Sequence, residues 1–209
     1  LMGNTNLIQP LEYSAWPTLG ASRRAAWTMV SEPDGSGDPA EDDETVLDAL
    51  QAALRADQPR LAVVNLHKVD RAGHYGERGD YPARVAAIDG PLADLWRWVG
   101  RQDAYADDTW LVVVADHGRH GDADTDPPWR HHGCACNSCR RVPLLVLGPG
   151  VVQGQDLDDP VLLTDLAPTL AALLGVELPW ASGMVLDELL ETPTGFPSRS
   201  GLADLAVAA

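Results

Sequence analysis

The sequence predicts an α/β fold, a parallel sheet flanked by helices, and three observations carry that prediction. Short apolar runs rich in valine and leucine, at Leu61–Leu66, Trp110–Val114 and Pro143–Leu147, read as buried strands. Segments with apolar residues at helical spacing alternate with them. Residues able to do chemistry follow the strands directly, which is where open α/β sheets place their sites.

Residues 1 to 40 are rich in Pro, Gly, Ser and Asn, with one buried strand expected at Ala25–Val30. Acidic residues from Glu41 to Glu44 open a helix that runs to about Ala56, because carboxylates suit a helix N-terminus. Val46, Leu47, Leu50, Ala53 and Leu54 form its apolar face. After the Leu61–Leu66 strand, Asp70 and His74 fall in a loop that Gly73 and Gly76 leave free to wrap. From Tyr81 to Val99, residues Val85, Ile88, Leu92, Leu95, Trp96 and Val99 recur at helical spacing. Gly90–Pro91 is expected to kink or split that helix.

Trp110–Val114 runs into Asp116, His117 and Gly118, and residues 116 to 141 then show no periodicity. A structureless stretch of that length inside a compact domain points to function. Pro143–Leu147 closes on Gly148-Pro149-Gly150. The segment from Thr164 to Pro179 reads as a helix, with Thr164 as N-cap, Pro168 early and Gly175 as its stop.

With 209 residues, 45% of them hydrophobic, the chain fits one domain over residues 1–209 with a soft tail from 191 to 209. No apolar run is long enough for a membrane span, and residues 1 to 20 have no basic start followed by an apolar core. The chain opens on Leu1, not methionine, so further sequence is expected upstream. A net charge of −16, with Lys68 as its single lysine, argues against a nucleic-acid surface. The acidic excess reads equally as adaptation to high salt or as the product of a GC-rich genome.

Cys134, Cys136 and Cys139 are an odd set, too close together for a disulfide framework. One local disulfide with a spare thiol is one reading. A zinc site completed by His131 or His132 is the other, at a spacing tighter than zinc-finger pairs.

Carboxylate and imidazole together are the donors that divalent metals take. Asp70 with His74, Asp116 with His117, and one of His131–His132 make such a set at consecutive strand ends. Asp116 and His117 are adjacent, so they share a metal only if the chain bends at once, as Gly118 allows. Trp129 and Arg130 are read either as substrate contacts or as packing and solvated surface.

VDRAGHYG, the strand entering ADHG, the histidine before RVPLLVLGPGV, and DLAPTLAALLGVELP together resemble the alkaline phosphatase superfamily over roughly Leu61 to Leu190. That superfamily includes nucleotide phosphodiesterases, phosphoglycerate mutases, phosphopentomutases and sulfatases. Sulfatases usually have Asp–Asn where this chain has Asp116–His117, which favours the two-metal phosphatase-like branches.

The resemblance implies a three-layer α/β/α sandwich with a mostly parallel sheet, here lacking its N-terminal strand or strands. It implies two divalent ions, zinc or manganese. Asp70, His74 and His132 would hold one, with His131 as the alternative to His132, and Asp116 and His117 would hold the other. His67 and His120 fall off the motif. The implied activity is hydrolysis of phosphate mono- or diesters, with a mutase, a sulfatase-like enzyme or a non-catalytic metal-binding module as rivals. The family draws its Thr or Ser nucleophile from the N-terminal part of the domain. Thr5 is a weak candidate, so the nucleophile is expected upstream of Leu1 and the chain alone is expected to be inactive.

On the salt reading, thermal melts from low to molar KCl should show a steep rise in Tm as carboxylate repulsion is screened. A flat response would leave genome composition as the explanation.

Overall fold

A computed structural model describes residues 43–121, 128–154, 161–192 and 194–195. The expected strand at Ala25–Val30, Thr5 and most of the tail from 191 lie outside the described residues. Two compact units divide the chain. The first comprises Leu1–Ala106 and His117–Arg141, the second Asp107–Asp116 and Val142–Ala209.

In the first unit, helix α1 spans Asp43–Asp57, with Asp43 and Glu44 in its first turn and Arg55 in its last, the arrangement that complements a helix dipole. Val46, Leu47, Leu50, Ala53 and Leu54 are buried on one face, as their spacing predicts. Most of that face meets Leu95 and Val99 of the helix Asp80–Val99, with Val64, Leu66, Ile88 and Trp96 packed around the contact. Each leucine taken fully from water there contributes about 1.5–3 kcal/mol. Tyr105 donates its hydroxyl to the Leu54 carbonyl at 3.0 Å, satisfying a last-turn acceptor of α1. Burial raises the Tyr105 pKa, so the phenol keeps the proton it donates.

Three expectations change in this unit. The Leu61–Leu66 segment joins no ladder among the described residues beyond a bridge at Val64. Val64 and Leu66 pack on the helix cluster while Leu61 and Val63 are exposed. The run is therefore apolar without being buried on both faces. Second, Asp70 and His74 lie on a helix, α2, spanning Lys68–Tyr75, and not in a wrapping loop. Third, the helix Asp80–Val99, α3, runs unbroken through Pro91. A proline removes one N–H donor, and the packed face of Leu95, Val99, Ile88 and Trp96 holds the remaining turns.

Asp43 decides where α2 begins. It is 4% exposed, and its carboxylate accepts the backbone N–H groups of His67 at 2.9 Å and Lys68 at 3.3 Å. Those are first-turn donors with no partner inside the helix, and a negative charge there also opposes the positive helix end.

In the second unit, strands β1 (Leu111–Val114) and β2 (Leu144–Leu147) pair with Leu111 opposite Leu147 and Val114 opposite Leu144. These two strands pair antiparallel, not parallel as the order of elements leads one to expect. A parallel return needs a long crossover, usually a helix. Between these strands the described residues hold only a 3-10 turn at Pro128–Arg130 and one helical turn, α4, at Asn137–Arg140. The α/β character stands.

A 3-10 turn at Leu163–Asp165 leads into helix α5, Leu166–Leu173. Asp165, not Thr164, stands at the N-cap position of α5; its buried carboxylate makes no capping bond to that helix and instead accepts N–H groups from Leu162 at 2.9 Å and Met184 at 3.0 Å. Thr169 donates to the Asp165 carbonyl at 2.6 Å and accepts the Leu186 N–H at 3.0 Å. Leu186 is fully buried there. Gly175 ends the helix at φ +67°, as predicted. No helix among the described residues is long and apolar enough to cross a membrane.

Replacing Asp43 with Ala should lower stability by about 2 kcal/mol, read as a shifted urea midpoint at unchanged m. Asp43→Asn, which keeps an acceptor, should lose less than half of that. Equal stability of Asp43→Ala and the parent would refute the capping role.

Candidate metal centre

Helical spacing does what loop wrapping was expected to do. Residues four apart lie on one face of a helix, so α2 presents Asp70 and His74 together, with His74 Nε2 3.4 Å from Asp70 Oδ2. His132 joins them, its Nε2 2.9 Å from His74 Nε2 and 3.9 Å from Asp70 Oδ1. His131 is exposed, and its carbonyl accepts the His120 N–H at 3.2 Å, so of the pair it is His132 that reaches the cluster.

His117 stacks on His132, ring centroids 3.6 Å apart and planes within 8°, and brings its Nε2 to 4.0 Å from Asp70 Oδ1. Its Nδ1 lies 2.9 Å from the Gly118 carbonyl. A carbonyl only accepts, so Nδ1 carries the proton and Nε2 is left with a lone pair. Ligand atoms of Asp70, His117 and His132 all lie within 4.8 Å of one another. Burial lowers the His132 pKa, and nearby His117 adds to this while Asp70 opposes it. The shift favours neutral imidazole, the form that ligates metals.

Asp116 is exposed at the end of β1 and belongs to the second unit. His67 occupies the N-cap position of α2. Trp129 and Arg130 bind through their backbone, offering both carbonyls to Arg119, while the Arg130 guanidinium donates to the Gly76 carbonyl at 3.2 Å.

Arg119 is the residue that sequence reasoning missed. Its side chain is 7% exposed and forms an ion pair with Asp70 Oδ1. It also donates to the carbonyls of Asp70 at 3.1 Å, Arg130 at 3.1 Å and Trp129 at 3.3 Å. Gly73, buried in α2, makes room for it, since a methyl group there would overlap the guanidinium. Gly73, set between Asp70 and His74 in the motif, was the available signal.

The three cysteines are free thiols, which corrects the local disulfide. Helix α4 carries Cys139 back toward Cys134, leaving the sulfurs 3.6 Å apart, and the imidazole they face is His120, not His131 or His132. The side-chain hydrogen bond between Cys134 and Cys136 holds Cys136 down at about 7 and pushes Cys134 up to about 11.

A family model described as the Metalloenzyme superfamily matches residues 27–178. A 2,3-bisphosphoglycerate-independent phosphoglycerate mutase of Halobacterium salinarum is 32% identical over 158 residues, 73% of this chain and 29% of that protein. A phosphopentomutase of Herpetosiphon aurantiacus is 32% identical over 151 residues, 71% of this chain and 34% of that protein. The Haloarcula marismortui phosphoglycerate mutase is 30% identical over 128 residues, 60% and 23% respectively. The chain thus spans about a third or less of the length of these relatives. No solved structure matches.

Gly73→Ala should force Arg119 off Asp70 and cost about 1–3 kcal/mol in a thermal or urea melt. A substitution tolerated at that position without loss of stability would show that the guanidinium does not sit across the helix.

Proposed function

The chain belongs to the Metalloenzyme superfamily, and on that premise we propose that it supplies the metal-binding part of a phosphomutase-type enzyme. The carrying observation is the convergence of Asp70, His117 and His132 within 4.8 Å, with His74 against two of them. One carboxylate and three imidazoles suit a divalent ion, zinc or manganese. The division of ligands follows the resemblance, with Asp70, His74 and His132 on one ion and His117, together with Asp116, on a second. The same reading takes β1 and β2 as part of a three-layer sandwich.

Motifs alone favoured hydrolysis of phosphate esters. The relatives reported above carry the names of mutases, and this moves the proposal to phosphoryl transfer between positions on a phosphosugar or phosphoglycerate. When bound, divalent ions supply charge stabilisation to phosphoryl oxygens. The protein's own share is placement. The Gly118 carbonyl orients His117 so that Nε2 faces the cluster. Arg119 pins one oxygen of Asp70 and leaves Oδ2 toward His74. The nucleophile lies with the N-terminal part of the whole enzyme, Thr5 being the weak candidate within this chain.

Manganese prefers oxygen and imidazole over thiolate, so it probes this centre selectively. Free manganese measured by electron paramagnetic resonance should fall on adding the 209-residue protein, and His74→Ala should weaken binding by about tenfold or more. An enzyme that contains this chain should interconvert isomers of phosphoglycerate or phosphopentose faster than it hydrolyses p-nitrophenyl phosphate. Manganese binding indifferent to His74→Ala, with hydrolysis as the sole activity, would overturn both parts.

A further inference from the structure

A second ligand cluster lies in the same unit, made of His120, Cys134, Cys136 and Cys139, one donor atom from each within 4.8 Å of the others. It shares no residue with the first. The Cys134 and Cys139 sulfurs are 3.6 Å apart, and His120 Nδ1 lies 3.6 Å from Cys134 Sγ and 3.7 Å from Cys136 Sγ. Zinc bonds sulfur at about 2.3 Å and imidazole nitrogen at about 2.0–2.1 Å, so a tetrahedral site has edges of about 3.8 Å between sulfurs and about 3.6 Å from nitrogen to sulfur. The observed spacings are those edges to within about 0.2 Å. A disulfide would need the sulfurs at about 2.05 Å and would strand the third thiol and the imidazole.

From this we propose that His120, Cys134, Cys136 and Cys139 bind a structural zinc ion that fixes the segment bearing His117, Arg119 and His132. Four protein donors fill a tetrahedral zinc, leaving no open position for a substrate, so the site is structural and not catalytic. The segment needs such a staple. Among its described residues, 117–121 and 129–141, Cys139 is the one buried apolar residue, so apolar packing contributes little.

The backbone shows what the ion would hold. Gly118 N–H donates to the Cys139 carbonyl at 2.8 Å, and a Cβ at Gly118 would overlap the Ser138 carbonyl. His120 N–H meets the His131 carbonyl at 3.2 Å. Cys136 N–H points at Cys134 Sγ at 3.3 Å, charge-assisted once that sulfur is a thiolate. One ion would thereby lock His120 and the cysteine turn together, with His117 three residues before the one ligand and His132 two before the other.

Cobalt(II) titration of the reduced 209-residue protein tests this, because thiolate ligation gives a near-ultraviolet charge-transfer band that oxygen and imidazole ligands do not. The band should saturate at one ion per chain, vanish in Cys136→Ser, weaken in His120→Ala, and survive in His74→Ala. Zinc should bleach it and protect all three thiols of the unsubstituted protein from Ellman's reagent, a readout that needs no variant to fold. Absence of the band in reduced protein, or thiols that react equally fast with and without zinc, would overturn the proposal. Failure of the manganese centre leaves this band unaffected, so the two readings fall separately.

Discussion

Arg119 is the hub on which the candidate centre depends. Its guanidinium meets the Asp70 carboxylate, and its other donors collect carbonyls from α2 and from Trp129 and Arg130. Three separate stretches of chain are thereby held at one planar group, whose fixed fork of donors suits several acceptors at once. The two partners are unequally placed: Asp70 is 43% exposed while Arg119 is 7% exposed. Water screens the Coulomb attraction at the Asp70 end, so the pair's contribution is mostly geometric. The larger cost would come from removing the acceptors and leaving a buried guanidinium unpaired.

The residues of the candidate centre were legible because residue type and chain proximity mark them. Asp70, His74, His117 and His132 could be named from the motifs, and the structure brings all four together. The stretch holding the last two had also been marked by its lack of periodicity. Other features need the third dimension. An apolar run has no direction written into it, so the antiparallel pairing of β1 with β2 could not be read from LVVV and LLVL. A charged residue in a loop, such as Arg119, looks solvated until its acceptors are known. His120 lies 14 residues before Cys134, and only the fold brings the two side chains together.

Helix α2 shows how a local rule can give the right pairing for the wrong reason. Glycines at 73 and 76 suggested a flexible loop able to bring Asp70 to His74. The observed Gly73 serves a different need, clearance for a guanidinium, and the pairing comes from the helical repeat. Pro91 is a parallel case, since a residue that discourages helix sits inside α3 where the packed face outweighs one lost hydrogen bond.

The brevity of α2 has its own consequence. Eight residues including a glycine are too few to hold a helix in water, where segments under about 12–15 residues are marginal and each glycine costs about 1 kcal/mol. Its existence is borrowed from Asp43 at one end and Arg119 across its face. The spacing of Asp70 and His74 is therefore a tertiary property, and it dissolves whenever either support lets go. Amide hydrogens of α2 should then exchange with the opening of those supports, not with the rate of an independent helix, so that ligand geometry and local folding share one equilibrium.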